Sequence, residues 1–372
     1  MSSLPTAVFP ADLGLDHVEL HVADVDAAAA DLCGRFGFTV VGTTGPAADG
    51  LRGLALAQGR ISLALTAATA DDHPATAYVL AHGDGVAGIA LRTADAAAAF
   101  AEAVRRGGRP IAEPRVLDGE FRTVVATVGG FGDVVHTFVQ RDPADPGTLP
   151  PGFVPAPSVG EPAAVGESAD APGLLELDHF AVCVPGGELD ATIAYYRDVL
   201  GFEQTFEERI EVGTQAMNSQ VVQSADRGVT FTVIEPDTTA DPGQIDMFLK
   251  RHGGAGVQHL AFASADAVRS VRALAERGVH FLSTPGAYYD ALADRVAPRT
   301  HTVAELRELS LLIDEDHGGQ LFQIFTRSGH ERRTLFFEVI ERIGAETFGS
   351  SNIKALYEAV EVERLRQDGG QE

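Results

Sequence analysis

The chain has 372 residues, 45% apolar and 22% charged, enough for two globular domains with their own cores and unlike a disordered or fibrous composition. A formal net charge of −25 repels polyanions and lacks the basic footprint that phosphate neutralisation needs, which argues against a nucleic-acid partner. The N-terminus MSSLPTAVFPADLGLDHVEL has neither a basic n-region nor an apolar h-region, and no stretch is long enough to span a bilayer, so no membrane association is expected. Only Cys33 and Cys183 occur, each in an apolar run, which makes neither a disulfide framework nor a CxxC site and fits a cytoplasmic location.

A first domain is expected over residues 1–141. Leu15-Asp16-His17-Val18 opens an alternating run that reads as a strand. VAGIALRTADAAAAFAEAVRRGG from Val86 then reads as a short strand, a polar N-cap region, an amphipathic helix and a glycine stop. Residues 142–172, dense in Pro, Gly, Ala and Ser without strand or helix periodicity, read as a linker.

A second domain is expected over 173–372 and repeats the first. Leu177-Asp178-His179-Phe180 echoes the opening strand, and a helix DATIAYYRDVLGF follows it. VQHLAFASADAVRSVRALAERGV from Val257 lies on the Val86 segment, with Asp95 against Asp266 and Gly107 against Gly278. GVTFTVIEP, LSLLIDE, QLFQIFT and TLFFEVI read as further strands. The unit is a strand, a helix and several strands, used twice per half, which gives an α+β class with two tandem domains. SSNIKALYEAVEVERLRQ has apolar residues at Ile353, Leu356, Tyr357 and Val360, the spacing of a helix that closes over a site mouth.

His179 and His259 hold equivalent positions in the paired modules of the second half. They stand about 80 residues apart, so only a fold that pairs modules brings them together. Glu338 is a carboxylate in an otherwise apolar strand, where it needs a cation or strong donor. Two imidazoles and a carboxylate with open positions suit Fe(II), with Zn(II) the competing metal. A lone strand histidine is more often core than ligand, and a lone strand glutamate more often pairs with an arginine; three such residues in matched repeats favour a metal. The first half keeps His17 but has Gly88 where His259 aligns, so it reads as a copy that has lost its metal. His252, His301, His317 and His330 lie in loop-like contexts and read as surface residues.

The segments LDHFAV, GQIDMFLKRHGGAGVQHLAF, FLSTPGAYYD, GGQLFQIFTR and TLFFEVIERIGAETFGSSNIKALYEAVE resemble the 4-hydroxyphenylpyruvate dioxygenase family of the vicinal-oxygen-chelate superfamily, over nearly the whole chain. The resemblance implies that each domain is an open β-barrel of paired βαβββ modules. It also implies an Fe(II) oxygenase whose substrates are 4-hydroxyphenylpyruvate and O2, with His179, His259 and Glu338 as ligands and Ser219, Val221, Thr232, Gln244, Gln323, Phe325, Ile353 and Tyr357 around the substrate.

Ring-hydroxylating members, which form homogentisate, read Gly-Asn-Phe and Phe-Glu-Ala near the C-terminus and Pro-x-Asn-Glu-Pro upstream. Here the sequence is Ser351-Asn352-Ile353, Tyr357-Glu358-Ala359 and Thr232-Val233-Ile234-Glu235-Pro236. These departures resemble members that hydroxylate the benzylic carbon, and the expected product is (S)-4-hydroxymandelate with CO2. Replacing an aromatic wall by Ile353 removes a stacking partner and changes how the ring sits. The alternatives are the homogentisate-forming dioxygenase, a Zn(II) or Ni(II) lyase or isomerase on the same fold, and a non-catalytic aromatic-binding module. A homodimer is the expected assembly.

Overall fold

The strand-helix-strands unit is built four times in the computed structural model of the chain, which describes residues 13–45, 50–117, 119–147, 149–156, 171–349, 352 and 354. The N-terminal half runs β1 (Gly14–His21), α1 (Val25–Phe36), β2 (Thr39–Thr44), β3 (Leu51–Gln58), β4 (Ile61–Ala68), α2 (Pro74–His82), β5 (Gly85–Arg92), α3 (Ala96–Arg105), β6 (Pro110–Leu117), β7 (Thr123–Gly129), β8 (Val135–Gln140) and β9 (Phe153–Pro155). The C-terminal half runs β10 (Leu174–Cys183), α4 (Leu189–Asp198), β11 (Glu203–Val212), β12 (Gln215–Gln223), β13 (Thr230–Pro236), α5 (Gln244–His252), β14 (Gly256–Ser264), α6 (Ala267–Glu276), α7 (Gly286–Asp290), α8 (Val303–Leu309), β15 (Leu312–Glu315), β16 (Gln320–Phe325) and β17 (Phe336–Ile343).

Two sheets result, ordered β6-β7-β8-β5-β1-β4-β3-β2-β9 and β11-β12-β13-β10-β14-β17-β16-β15. In each half the two modules join through antiparallel first strands, β1 with β5 and β10 with β14. Each first strand also pairs in parallel with the last strand of its own module. Each sheet thereby curls into a half-barrel, the mixed α+β architecture that the repeats predict.

The matched helices are set by matched caps. Asp95 and Asp266 accept from the backbone N–H of Ala98 and Arg269, both at 2.9 Å, which satisfies a free amide at each helix start. α3 buries Ala96, Ala99, Phe100 and Ala103, and α6 buries Ala267, Val268, Val271 and Leu274, one stripe at helical spacing in each. Gly107 (φ 104°) and Gly278 (φ 85°) follow these helices in a conformation that favours glycine.

One hydrophobic core runs through both halves, and Phe36 meets Phe337 edge-on across them at 4.8 Å. Burying such a ring contributes about 2–3 kcal/mol. A smaller cluster of Cys183, Ile210, Met217, Ile234, Ile245 and Phe248 packs α5 against the C-terminal sheet.

Several readings of the sequence need correction or fall elsewhere. Within the stretch read as linker, β9 pairs with β2 and lengthens the N-terminal sheet, while residues 157–170 lie outside the described residues. His252 and His301 are buried rather than at the surface, because His252 stacks on His82 from the other half and His301 meets Glu341. His330 is half-buried, and His317 is exposed as expected. Ile353, Tyr357 and nearly all of the C-terminal helical pattern lie outside the described residues. No helix among the described residues is long and apolar enough to cross a membrane.

Candidate metal centre

The strand register explains why three residues distant in sequence meet. His179 on β10 lies across from Ala261 on β14, and Ala261 lies across from Glu338 on β17. His259 stands two residues before Ala261, so strand alternation puts it on the same face. Ala181, opposite His259, and Ala261 are small, which leaves space for the three longer side chains. A bulge at Asp178 shifts the register, since Leu177 pairs with Phe262 and His179 with Ala261. Bulges re-aim side chains, and here His179 Nδ1 donates to Asp178 Oδ1 at 2.8 Å.

The Nε2 atoms of His179 and His259 lie 3.4 and 3.1 Å from Glu338 Oε2. Two ligand atoms at ~2.1 Å from one ion and at right angles to each other are ~3.0 Å apart, so these separations suit a shared cation. All three residues are buried, with exposures of 4%, 6% and 2%. Among the described residues His259 Nδ1 and Nε2 and Glu338 Oε1 have no hydrogen-bond partner, although His259 Nε2 lies 3.1 Å from Glu338 Oε2. Leaving such atoms unpaired costs roughly 1–3 kcal/mol each, a cost that a bound divalent cation relieves.

The charges fit the same reading. Burial opposes a charge on His179, yet the Glu338 and Asp178 carboxylates beside it raise its pKa to about 9. Burial dominates at His259 and lowers its pKa. Glu338 is held below its ordinary value, against its own burial, by His179 and His259.

The sequence-predicted pocket residues divide into four groups. Thr232 pairs with Ala181, Val221 pairs with Thr232, and Ser219 lies two residues from Val221 on the same face, so these continue the row that holds His259. Phe325 lies across from Glu338 and edge-on to His259 at 5.7 Å, with buried Gln323 on the same face of β16. Thr232 Oγ1 and Gln323 Oε1 are buried without a partner among the described residues. Gln244 opens α5 and lines a cleft with Ile210, Val212, Gln215 and Met217. The positions of Ile353 and Tyr357 fall outside the described residues.

The sequence reading missed four neighbours. Phe336 and Phe348 pack on His259 and His179 at 5.0 and 5.1 Å. Asp178 is forked onto Arg342, whose Nε and Nη2 donate at 2.7 and 2.9 Å. The repeated Leu-Asp-His, with Arg141 and Arg342 each in a following strand region, is the signal that would have exposed this pair.

A second group, Asp266, His301 and Glu341, lies beside a surface cavity of about 730 Å³. Glu341 Oε2 already accepts from His301 Nε2 and from the Ala267 N–H, both at 2.7 Å. His301 thus pairs with Glu341, and Asp266 and Glu341 accept from backbone amides at the start of α6.

Tandem half-barrels of paired modules, with a buried cluster of two histidines and a carboxylate in one of them, define the glyoxalase-dioxygenase class of protein. Residues 14–135 and 176–324 match the family model of the Glyoxalase/Bleomycin resistance protein/Dioxygenase superfamily. The chain is 32% identical over 372 residues to 4-hydroxyphenylpyruvate dioxygenase of Yarrowia lipolytica, covering 95% of this chain and 93% of that protein. It is 32% identical over 371 residues to the Caenorhabditis elegans protein of the same name, with the same coverage of 95% and 93%. A solved structure of a triple mutant of 4-hydroxymandelate synthase from Streptomyces coelicolor superposes with a TM-score of 0.84 at 43% identity, covering 95% of this chain and 99% of that one. The chain belongs to the 4-hydroxyphenylpyruvate dioxygenase family and is an enzyme of the non-haem iron dioxygenase type.

Proposed function

We propose that this enzyme holds Fe(II) through His179, His259 and Glu338 and converts 4-hydroxyphenylpyruvate and O2 into (S)-4-hydroxymandelate and CO2. The observation that carries this reading is the buried cluster, whose two imidazoles and one carboxylate leave sites for a chelating 2-oxo acid and dioxygen. When bound, the ferrous ion supplies the redox chemistry of oxidative decarboxylation and hydroxylation. Glu338 offsets one of its two positive charges, which leaves a net charge suited to a substrate carboxylate.

The chain's other residues bind, orient and exclude water. Thr232 Oγ1, which donates or accepts, and Gln323 Oε1, which accepts, are buried without a partner among the described residues and meet the polar ends of the substrate. Phe325, Phe336 and Phe348 wall the cluster with rings and keep water from the reacting groups.

Two observations support benzylic over ring hydroxylation. The identity to the synthase structure is 43%, against 32% to the dioxygenases. The residues Thr232 and Ile353 also depart from the ring-hydroxylating pattern. The names of the 32% identical relatives support the second reading, a homogentisate-forming dioxygenase.

The test is to load the protein with Fe(II) anaerobically, admit 4-hydroxyphenylpyruvate and O2, and separate the products on a chiral column. One (S)-4-hydroxymandelate and one CO2 per O2 consumed is the expected result. Homogentisate as the sole product replaces this reading by the second, and absence of O2 uptake removes both.

A further inference from the structure

We propose that Asp178 and Arg342 are positioning residues for His179, holding its imidazole ready for the ion and tying its orientation to the segment Ala345–Phe348. This rests on the reading of His179 as a metal ligand. Because Asp178 accepts from Nδ1–H, Nε2 is the ring atom left to meet the ion, and it lies 3.4 Å from Glu338 Oε2. Both carboxylate oxygens of Asp178 are in turn held by the Arg342 fork at 2.7 and 2.9 Å, a planar arrangement that leaves the carboxylate little freedom to rotate. Arg342 Nη1 also donates to the Thr347 carbonyl at 2.6 Å, and its guanidinium lies 5.0 Å from the Phe348 ring. Phe348 packs edge-on against His179, so one arginine fixes the ligand's hydrogen-bond partner and the ring that flanks the ligand.

The two histidines are not equivalent in this respect. Among the described residues His259 Nδ1 has no hydrogen-bond partner, and the rings of Phe325 and Phe336 pack on the side chain.

The N-terminal half supplies an internal control. There His17 Nδ1 donates to Asp16 Oδ1 at 2.8 Å, and Arg141 Nε and Nη2 both donate to Asp16 at 2.7 Å. Asp16 sits in the same register shift, and Arg141 also holds a following backbone carbonyl, that of Leu149, at 2.9 Å. The companions of His17 are Gly88 and Thr137, which do not complete a metal site. Whatever the dyad does for the fold, both halves share; what it does for an ion is confined to Asp178.

The experiment titrates Co(II) into metal-free full-length wild type, Asp178→Asn, Arg342→Lys and Asp16→Asn, followed by visible absorption, with melting temperatures recorded before metal is added. Asp178→Asn turns an amide donor toward Arg342 and is expected to weaken Co(II) binding roughly 10–100-fold with a shifted ligand-field spectrum. Arg342→Lys, which keeps the charge and loses the fork, is expected to weaken binding less and carries the test if Asp178→Asn does not fold. Asp16→Asn is expected to lower the melting temperature as Asp178→Asn does and to keep the wild-type Co(II) affinity. Wild-type affinity and spectrum in the Asp178 and Arg342 variants overturn the proposal, as does equal weakening by Asp16→Asn. A wild type that binds no Co(II) instead removes the proposed function on which it rests.

Discussion

His259 and Gly88 occupy the same register position in the two sheets. His259 lies across from Ala181 as Gly88 lies across from Glu19, and the positions that follow match as well, with Ala261 beside Glu338 and Ala90 beside Thr137. One half thus has histidine and glutamate where the other has glycine and threonine, around histidines that keep the same hydrogen bond to a preceding aspartate. Glu19 leans into the space beside Gly88, where an added Cβ would sit 3.3 Å from its Oε2.

If the halves are equivalent scaffolds, a ligand set can be moved between them. The triple substitution Glu19→Ala, Gly88→His and Thr137→Glu recreates the C-terminal arrangement around His17, with the alanine clearing the gap. Metal analysis after Co(II) loading is expected to rise from one ion per chain to two. A ratio unchanged in a folded variant would show that register alone does not build the site.

Removing a ligand in the C-terminal half has the opposite effect. His259→Ala and Glu338→Gln are expected to lose high-affinity metal binding and to lower O2 uptake by at least a hundredfold, roughly 3 kcal/mol in the barrier. In wild type, adding a chelator should lower the melting temperature, since an ion present at about 100 times its Kd stabilises the fold by roughly 2.7 kcal/mol. Calorimetry with and without chelator checks both.

Gln323 is buried at 1% exposure with Oε1 unpaired among the described residues, an arrangement that costs stability unless a ligand supplies a donor. Gln323→Leu is therefore expected to raise KM for the keto acid roughly tenfold, about 1.4 kcal/mol, while leaving Co(II) affinity unchanged. Its melting temperature should not fall. A large drop in stability with unchanged KM would make Gln323 a core residue only.

Acid should loosen the fold through two histidines outside the centre. Burial pushes His136 and His252 each down to about 4, with His82 beside His252 adding to the effect. Folded values below the unfolded value of ~6.5 mean that the unfolded chain binds more protons between them. Their contribution is complete above pH 6.5 and is lost as pH falls toward 4, by roughly 3 kcal/mol for each histidine. Denaturant unfolding of the metal-free protein at pH 7 and pH 5 should show this loss, and His252→Gln should show less of it.

Much of this architecture was legible because the chain repeats itself. Leu15-Asp16-His17 and Leu177-Asp178-His179 mark the first strands, Asp95 and Asp266 mark helix starts, and the alignment of Gly88 with His259 agrees with the register found. Long-range partners left no local trace. Nothing around His301 announces Glu341 forty residues on, and nothing around His252 announces the stack on His82, so both looked like surface loops. Gln244 was placed by likeness of sequence alone, and no strand register of the sheet carries it. Asp178 read as part of a strand pattern because a bulge is a property of pairing, visible only once Leu177 and His179 have found Phe262 and Ala261.

Crystals of the Fe(II)-loaded protein, measured on both sides of the iron absorption edge, test the centre most directly. A single strong anomalous peak bounded by His179 Nε2, His259 Nε2 and Glu338 Oε2 is the expected result. A peak elsewhere, at Asp266, His301 and Glu341 for example, with none among those three side chains, would contradict it.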